Sequence, residues 1–376
     1  MRLLPLACLL SAAQAVAFVP GPPGPYGVAS RVLTLTNDAR QDPYSPQDKR
    51  RIIVSAFLPV DKSTHACQLD AAALMPPLTA SVYNSQAVEG GLPNDTFSRF
   101  EIQYCKLPAK PRGSKDSCRG GKFPVVLFSP GLGATRLAYS AGSSSRLIIR
   151  TTRLSLSFLM GRSFYGAVNQ TDPDETLKAL NTRVADISFL VEQLHRQSIV
   201  KALTKDYPGR LDVDKLFLYG HSLGGNTAAN AMLRDRRIRA GANIDGHVYG
   251  SVVSKGLSAP FLLVGVPGHD AIPGSNWPEL YDRLRGAKMD LAVAQTEHLA
   301  FTDVPLLATQ MTIPPENRPL VEKFIGKIDG AVLQDVMLEV LNGLVELGVR
   351  GKSEKLRGIG GRFKEVTVVK SRLPRR

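Results

Sequence analysis

The chain has 376 residues, a length at which one large α/β domain or two smaller domains can bury a full core. Its 43% hydrophobic and 21% charged residues are ordinary for a globular protein, and beyond the N-terminal stretch no apolar run approaches a membrane span. Most of the net charge of +14 comes from residues 350–376, with ten Lys or Arg and two acids, and from residues 141–163, with four Arg and no acid. Because no basic stripe is interleaved with aromatic residues, a nucleic-acid surface is excluded, and residues 349–376 are expected to form a disordered basic tail.

The N-terminal stretch has the composition of a secretory signal peptide. A basic residue precedes an apolar run, and two small-residue cleavage options follow at Ala13–Ala15 and Ala15–Ala17. Residues 1–17 are therefore predicted to be the signal peptide of a secreted, extracellular protein without a transmembrane segment.

Cysteines and sequons fit a secreted chain. Secretion permits disulfides, and Cys67, Cys105 and Cys118 follow the signal, with the choice of pair left open. Asn94 and Asn169 begin Asn-x-Thr sequons, so we expect a glycoprotein.

Apolar patterns alternate between strand and helix along the body of the chain. Strands are predicted at 31–36, 51–59, 100–105, 123–128, 216–219, 240–245, 260–266 and 289–296, and helices after 224 and at 174–196 and 332–347. Residues 61–95 are expected to be a long loop or lid, because Pro76-Pro77 and Gly90-Gly91 interrupt any regular element. The alternation predicts one α/β domain over residues 18–348, with a mostly parallel central sheet covered by helices on both faces.

A serine lies between a predicted strand and a predicted helix in the motif Gly220-His221-Ser222-Leu223-Gly224. This context is typical of a nucleophile elbow, in which Ser222 sits at a strained turn and the flanking glycines let neighbouring backbone approach. A glycine loop also follows the strand at 123–128. In this architecture the backbone N–H groups of Leu132, in that loop, and Leu223 form the oxyanion hole.

Acyl transfer by serine needs a base and a carboxylate that fixes the base. In the α/β-hydrolase order the acid follows the serine and the histidine comes last. Asp245 ends a predicted strand and is the predicted acid, with Asp270 as the alternative. His298 follows the last predicted strand of the sheet and is the predicted base, with His269 as the alternative. Since the sequence contains no metal-ligand spacing, P-loop or dinucleotide fingerprint, we expect chemistry without a cofactor or metal.

These residues resemble the secreted platelet-activating-factor acetylhydrolases of the α/β-hydrolase superfamily. The matching pieces follow the family's order: Gly24-Pro25-Tyr26, Ser129–Ala134 with Tyr139, Gly220–Gly225, Asn243–Gly246, and His298 with Phe301 and Asp303. The resemblance implies a calcium-independent esterase that removes a short or oxidised acyl chain from the sn-2 position of a phospholipid, in contact with a lipid interface. It gives Ser222, Asp245 and His298 the roles of nucleophile, acid and base.

Two other functions stay open. A carboxylester or polyester hydrolase similar to cutinases would share the elbow and the mechanism and would differ in substrate. A non-catalytic or defective secreted homologue would share only the fold.

Residues 141–163 depart from the family pattern. The architecture needs a helix and then a central strand before the helix at 174–196, and this Arg/Ser-rich segment is too short for both. Permitted codons for Leu147–Ser163, read from the third base, encode a segment that resembles the family at this place. We therefore hypothesise an out-of-frame reading, in which case the chain lacks a core strand.

Overall fold

A computed structural model describes residues 16–21, 24–62, 67–107, 122–140, 147–151, 168 and 172–374. The strands in these ranges are β1 (Ala17–Phe18), β2 (Tyr26–Asp42), β3 (Ser45–Asp61), β4 (Leu69–Ala73), β5 (Phe100–Cys105), β6 (Lys122–Ser129), β7 (Leu147–Thr151), β8 (Arg210–His221), β9 (Ile238–Ile244), β10 (Phe261–Gly265), β11 (Lys288–Val293) and β12 (Val366–Arg372). The helices are α1 (Pro77–Glu89), α2 (Pro173–Leu194), α3 (Gln197–Leu203), α4 (Leu223–Arg234), α5 (Ser251–Lys255), α6 (Trp277–Arg283), α7 (Val304–Ala308), α8 (Arg318–Ile325), α9 (Gly330–Arg350), α10 (Glu354–Arg357) and α11 (Ile359–Arg362).

The main sheet has nine strands in the order β12-β11-β10-β9-β8-β6-β7-β3-β2. The strands from β11 to β7 are parallel, while β12 pairs antiparallel with β11 at one edge and the β2–β3 hairpin continues antiparallel from β7 at the other. A smaller sheet has the order β1-β5-β4. The predicted mostly parallel central sheet is therefore confirmed.

The core lies in two layers, one on each face of the main sheet. Along β8, Leu216 and Leu218 pack in the layer that contains α2 and α4, whereas Phe217 and Tyr219 pack in the layer that contains α9. Successive side chains of a strand point to opposite faces, so a central parallel strand must be apolar on both. Helices cover both faces, as the sequence predicts.

Residues 61–95 differ from the predicted loop or lid. The segment contains β4 and α1, and residues 63–66 lie outside the described residues. Pro77 occupies the start of α1, where a missing N–H costs nothing and the fixed φ suits a helix. The prolines interpreted as interrupting regular structure therefore begin a helix instead.

The prediction of a disordered basic tail is wrong for the described residues up to 374. Leu356 and Ile359 are fully buried in the layer that contains α9, and β12 pairs with β11 at the edge of the sheet. Basic residues of the tail have specific partners, since Arg362 Nη2 lies 2.6 Å from an oxygen of Glu339 on α9. High charge suggested disorder, but the β-branched run from Val366 to Val369 favours a strand, and Val366 is buried.

The expectation that residues 141–163 leave the sheet without a core strand is also wrong. Residues 147–151 form β7, which pairs parallel with β6 on one side and antiparallel with β3 on the other. Pairing on both sides satisfies the backbone N–H and C=O groups of a central strand, and the sequence Leu147-Ile148-Ile149 has strong strand propensity. Residues 141–146 and 152–163 lie outside the described residues, and the reading frame stays a hypothesis.

A disulfide joins Cys67 and Cys105 at the end of β5. Cys118, the sequon at Asn169 and residues 1–15 of the predicted signal peptide lie outside the described residues, while Asn94 is exposed. Among the described residues, every helix is too short or too polar to cross a bilayer.

Deleting residues 366–376 removes β12 and should lower the melting temperature by several degrees. The deletion exposes the backbone edge of β11 and loses the buried Val366, and the expected loss of a few kcal/mol corresponds to a shift of that size. Scanning calorimetry measures the change. A chain that lacks only residues 375–376 is the control, and equal melting temperatures for the two chains would contradict the structural role of β12.

Candidate active site

Ser222 lies at the turn between β8 and α4. Its φ of 56° and ψ of −126° are strained for a residue with a side chain. Ser222 N donates to the carbonyl oxygen of Ile244 at 2.8 Å, which ties the turn to β9. Ser222 is half-buried between the buried residues His221 and Leu223, so the turn presents its hydroxyl group at the edge of the sheet.

Glycines make this sharp turn possible. A Cβ atom at Gly220 would lie 2.6 Å from the carbonyl oxygen of Ser129, and a Cβ atom at Gly224 would collide with the same oxygen. The backbone of the turn therefore lies directly against the end of β6, where the loop that contains Leu132 begins.

Asp245 forms a hydrogen-bonded cluster with both candidate histidines. It follows β9 with a φ of 52° and is 2% exposed. Its Oδ2 lies 2.6 Å from Nδ1 of His298, and its Oδ1 lies 2.8 Å from Nδ1 of His269. Val266 N donates to Oδ1 at 2.9 Å. The structure thus brings the predicted acid and base together, and it also places the alternative base on the other carboxylate oxygen.

The pKa of Asp245 lies well below its usual range. Burial acts to raise this pKa, but the hydrogen bonds from His269 and His298 and the N–H of Val266 outweigh burial. Asp245 is therefore an anion at neutral pH, and it favours a proton on Nδ1 of each histidine.

Exposure separates the two histidines. The His298 side chain is 50% exposed, whereas that of His269 is 3% exposed and packs on the Trp277 ring at 4.1 Å between centroids. Because Nδ1 of His298 is hydrogen-bonded to Asp245, its other ring nitrogen, Nε2, is the atom that can accept a proton. The carboxylate that bonds His298 is that of Asp245 and not that of the alternative acid, Asp270. The backbone carbonyl oxygen of Asp270 accepts a hydrogen bond from Ser275 Oγ.

A chain of hydrogen bonds links the His298 turn to the glycine loop. His221 Nε2 lies 2.9 Å from the carbonyl oxygen of His298, and Tyr139 Oη lies 2.9 Å from His221 Nδ1. Gly131 N donates to Tyr139 Oη at 3.2 Å. A carbonyl oxygen only accepts, so His221 carries its proton on Nε2 and accepts from Tyr139 at Nδ1.

Burial, together with the neighbouring His298, lowers the pKa of His221 to about 3. His221 is therefore neutral across the working pH range. It connects the two loops as a hydrogen-bonding spacer and does not titrate with the reaction.

Sequence reasoning missed two features of this site. Tyr139 was named only as part of the family resemblance, and no local sequence pattern predicts its hydrogen bonds to His221 and Gly131. Arg183 of α2 was not predicted to take part in the site, although its guanidinium donates to the carbonyl oxygens of Pro130 and Gly131. Within the described ranges, no group of three or more His, Cys, Asp or Glu side chains could hold a metal ion.

Comparison with known proteins gives relatives over nearly the whole chain. No protein-family model matches. A probable 1-alkyl-2-acetylglycerophosphocholine esterase of Arthroderma benhamiae is 26% identical over 373 residues, covering 93% of this chain and 92% of that protein. A platelet-activating factor acetylhydrolase of Cavia porcellus is 25% identical over 262 residues, covering 62% of this chain and 58% of that protein. A solved ferulic acid esterase from Streptomyces cinnamoneus superposes with a TM-score of 0.72 at 23% identity, over 95% of this chain and all of that chain.

The chain is a carboxylic ester hydrolase with an α/β-hydrolase fold. The predicted fold class is confirmed by the solved structure, and the predicted resemblance is confirmed by homologues named as platelet-activating factor acetylhydrolases. In this hydrolase Ser222 follows β8, Asp245 follows β9 and His298 comes after β11. These strands are parallel, so the three residues lie at the carboxyl edge of the sheet, where open α/β sheets place their sites.

Replacing Asp245 by Asn should destabilise this hydrolase in a pH-dependent way. Because the folded-state pKa of Asp245 is depressed, its contribution to the free energy of unfolding is present above the unfolded value of about 4 and is lost as the pH falls below that value. The stability difference between wild type and Asp245→Asn should therefore be largest near pH 7 and shrink in acid. Urea unfolding over a pH series measures it, with the exposed Asp335→Asn as control. A difference that is constant with pH would contradict the assignment.

Proposed function

We propose that this hydrolase removes a short or oxidised acyl chain from the sn-2 position of phospholipids through a serine acyl-enzyme. The name of the Arthroderma relative, which matches over 93% of the chain, supports the substrate class. The mechanism rests on one arrangement: Asp245 Oδ2 lies 2.6 Å from His298 Nδ1, and His221, the residue before the strained, half-buried Ser222, bonds the carbonyl oxygen of His298.

In the acylation step, Ser222 Oγ attacks the ester carbonyl carbon and its proton moves to Nε2 of His298. Asp245 holds the imidazole by Nδ1 and stabilises the imidazolium that forms. The carbonyl oxygen becomes an oxyanion, which the N–H groups of Leu132 and Leu223 bind. Leu223 begins α4, and the first N–H groups of a helix lack partners within that helix.

The intermediate then collapses and the carbon–oxygen bond to the glycerol breaks. His298 gives its proton to the leaving lysophospholipid oxygen, and the acyl group stays on Ser222. Water enters, loses a proton to His298 and attacks the acyl carbon. The bond from that carbon to Ser222 Oγ then breaks, His298 returns its proton to Oγ, and the free acid leaves.

The exposed rim beside the site supports contact with a lipid interface. Leu299 follows His298 and is 41% exposed, and α8, which packs on the turn at His298, exposes Leu320 and Phe324. Apolar side chains around a site opening favour docking on an aggregated substrate.

Secretion forms part of the proposal. The signal-like residues 1–17 support export, and the Cys67–Cys105 disulfide is typical of oxidising compartments. The exposed Asn94 is accessible for glycosylation.

A substrate panel tests the proposed activity. The purified chain should hydrolyse 1-alkyl-2-acetyl and other short sn-2 phospholipids with higher kcat/KM than long-chain phospholipids, because only a short or oxidised chain leaves the aggregate at little cost. Soluble p-nitrophenyl esters and a polyester film complete the panel. Preference for the polyester would contradict the phospholipid assignment and favour a cutinase-like hydrolase.

Two variants control that assay. Ser222→Ala should abolish turnover and labelling by a fluorophosphonate probe, while the exposed Ser254→Ala should keep both. Labelling that survives Ser222→Ala would rule out Ser222 as nucleophile.

Activity should fall in acid, since a general base must be unprotonated to accept the proton of Ser222. His221, whose pKa is about 3, remains neutral through this range and adds no second step. Measurement of kcat/KM against pH tests this, and a flat profile down to about pH 4 would contradict a histidine base.

Variants of the two candidate bases complete the pH test. His298→Gln should lower kcat by about 10²- to 10⁴-fold, the usual range for loss of a general base. His269→Gln should leave the fall of kcat/KM at low pH as it is in the wild type. The reverse pattern would make His269 the base.

A further inference from the structure

The loop after β6 is held by a buried arginine from α2. Arg183 is 5% exposed, and its guanidinium donates from Nη1 to the carbonyl oxygen of Pro130 and from Nη2 to that of Gly131, the latter at 2.8 Å. Both acceptors directly precede Leu132, the proposed oxyanion donor. The planar fork of a guanidinium suits two acceptors on adjacent peptide groups.

The peptide unit between Gly131 and Leu132 transmits this contact to the site. A trans peptide is planar, so its C=O and N–H bonds point in opposite directions. Arg183 donates to the carbonyl oxygen of Gly131 from the α2 side of the loop, and the same oxygen accepts a longer bond from Ala134 N at 3.3 Å. With its carbonyl held toward α2, the peptide directs the N–H of Leu132 away from α2. The loop lies beside the nucleophile, because a Cβ atom at Gly131 would be 3.5 Å from Ser222 Cβ.

We propose that Arg183 is a positioning residue of the reaction, which orients the 131–132 peptide so that the Leu132 N–H binds the oxyanion. This inference rests on the proposed serine mechanism and adds a residue to it. In this role Arg183 acts through the backbone of the loop, to which its Nη1 and Nη2 atoms donate.

Charge strengthens the orienting effect. A guanidinium remains protonated in proteins, and a charged donor on a peptide carbonyl polarises the group, which makes the N–H at its other end a better donor. The effect is larger in a buried, low-dielectric place, where an oxyanion also gains from a nearby cation.

Two tyrosines anchor the same loop at other points. Tyr139 Oη accepts from Gly131 N at 3.2 Å, and Tyr83 Oη accepts from Thr135 N at 2.6 Å. Neither bond fixes the carbonyl of Gly131. Tyr83→Phe is therefore a matched control that loosens the loop and leaves the 131–132 peptide on Arg183.

The test compares Arg183→Lys and Arg183→Met with wild type and Tyr83→Phe. Lysine keeps the charge but lacks the fork, so we expect kcat to fall by about 10- to 100-fold in Arg183→Lys and further in Arg183→Met, with KM changed less than about 3-fold. Tyr83→Phe should keep kcat within about 3-fold of wild type.

Inhibitor binding separates orientation from general stability. A trifluoromethyl ketone analogue, whose adduct carries an oxyanion, should lose affinity for Arg183→Lys by the same factor as kcat/KM. A non-hydrolysable ether phospholipid, which has no oxyanion, should bind unchanged. Calorimetry identifies an assay temperature at which each variant is folded. If Arg183→Met does not fold, Arg183→Lys alone tests the positioning role of Arg183.

Unchanged kcat in folded Arg183→Lys and Arg183→Met would overturn the proposal, as would a loss of kcat without loss of trifluoromethyl ketone affinity. Failure of the serine mechanism itself would appear separately: the Ser222→Ala variant would then turn over substrate as fast as the wild type.

Discussion

The close approach of backbone segments at the edge of the sheet governs the whole site. Gly224 at the start of α4 lies against the carbonyl of Ser129, and Gly246 lies against the carbonyl of Ser222. Neither position has room for a Cβ atom, so β6, the serine turn and the turn after β9 come together only with glycine there. Asn243 completes the arrangement, because its side chain both accepts from and donates to the backbone of Gly246. The three loops that carry the proposed chemistry are thereby fixed relative to one another by main-chain contacts.

Much of this could be predicted because its signals are local. Apolar runs marked the strands, a period of 3.6 marked α2 and α9, and the glycines around Ser222 marked the turn. Chain order then singled out Asp245 and His298, since parallel strands bring their carboxyl ends to one edge. These inferences need only residues close in sequence and a general rule of topology.

Other parts depend on contacts that sequence does not encode locally. The bond from Arg183 to Gly131 spans 52 positions, and in the sequence Arg183 is indistinguishable from a solvent-facing charge on a helix. His269 seemed an alternative base, whereas it is a buried partner of the same carboxylate. α1 and the C-terminal elements were missed for a related reason. Proline and high charge were taken as signs of irregular structure because of their composition alone. What matters is position: Pro77 lies at the start of α1, and Arg362 lies beside the acidic Glu339.

The ordered C-terminal strand gives the chain's excess of positive charge a physical meaning. β12 is the last strand of the sheet, and its outer edge has no further strand within the described residues. Lys370 and Arg372 are exposed on it. Unpaired strand edges invite sheet extension between molecules, and two edges of like charge repel each other. The exposed basic residues of this strand thus act against edge-to-edge pairing between two molecules.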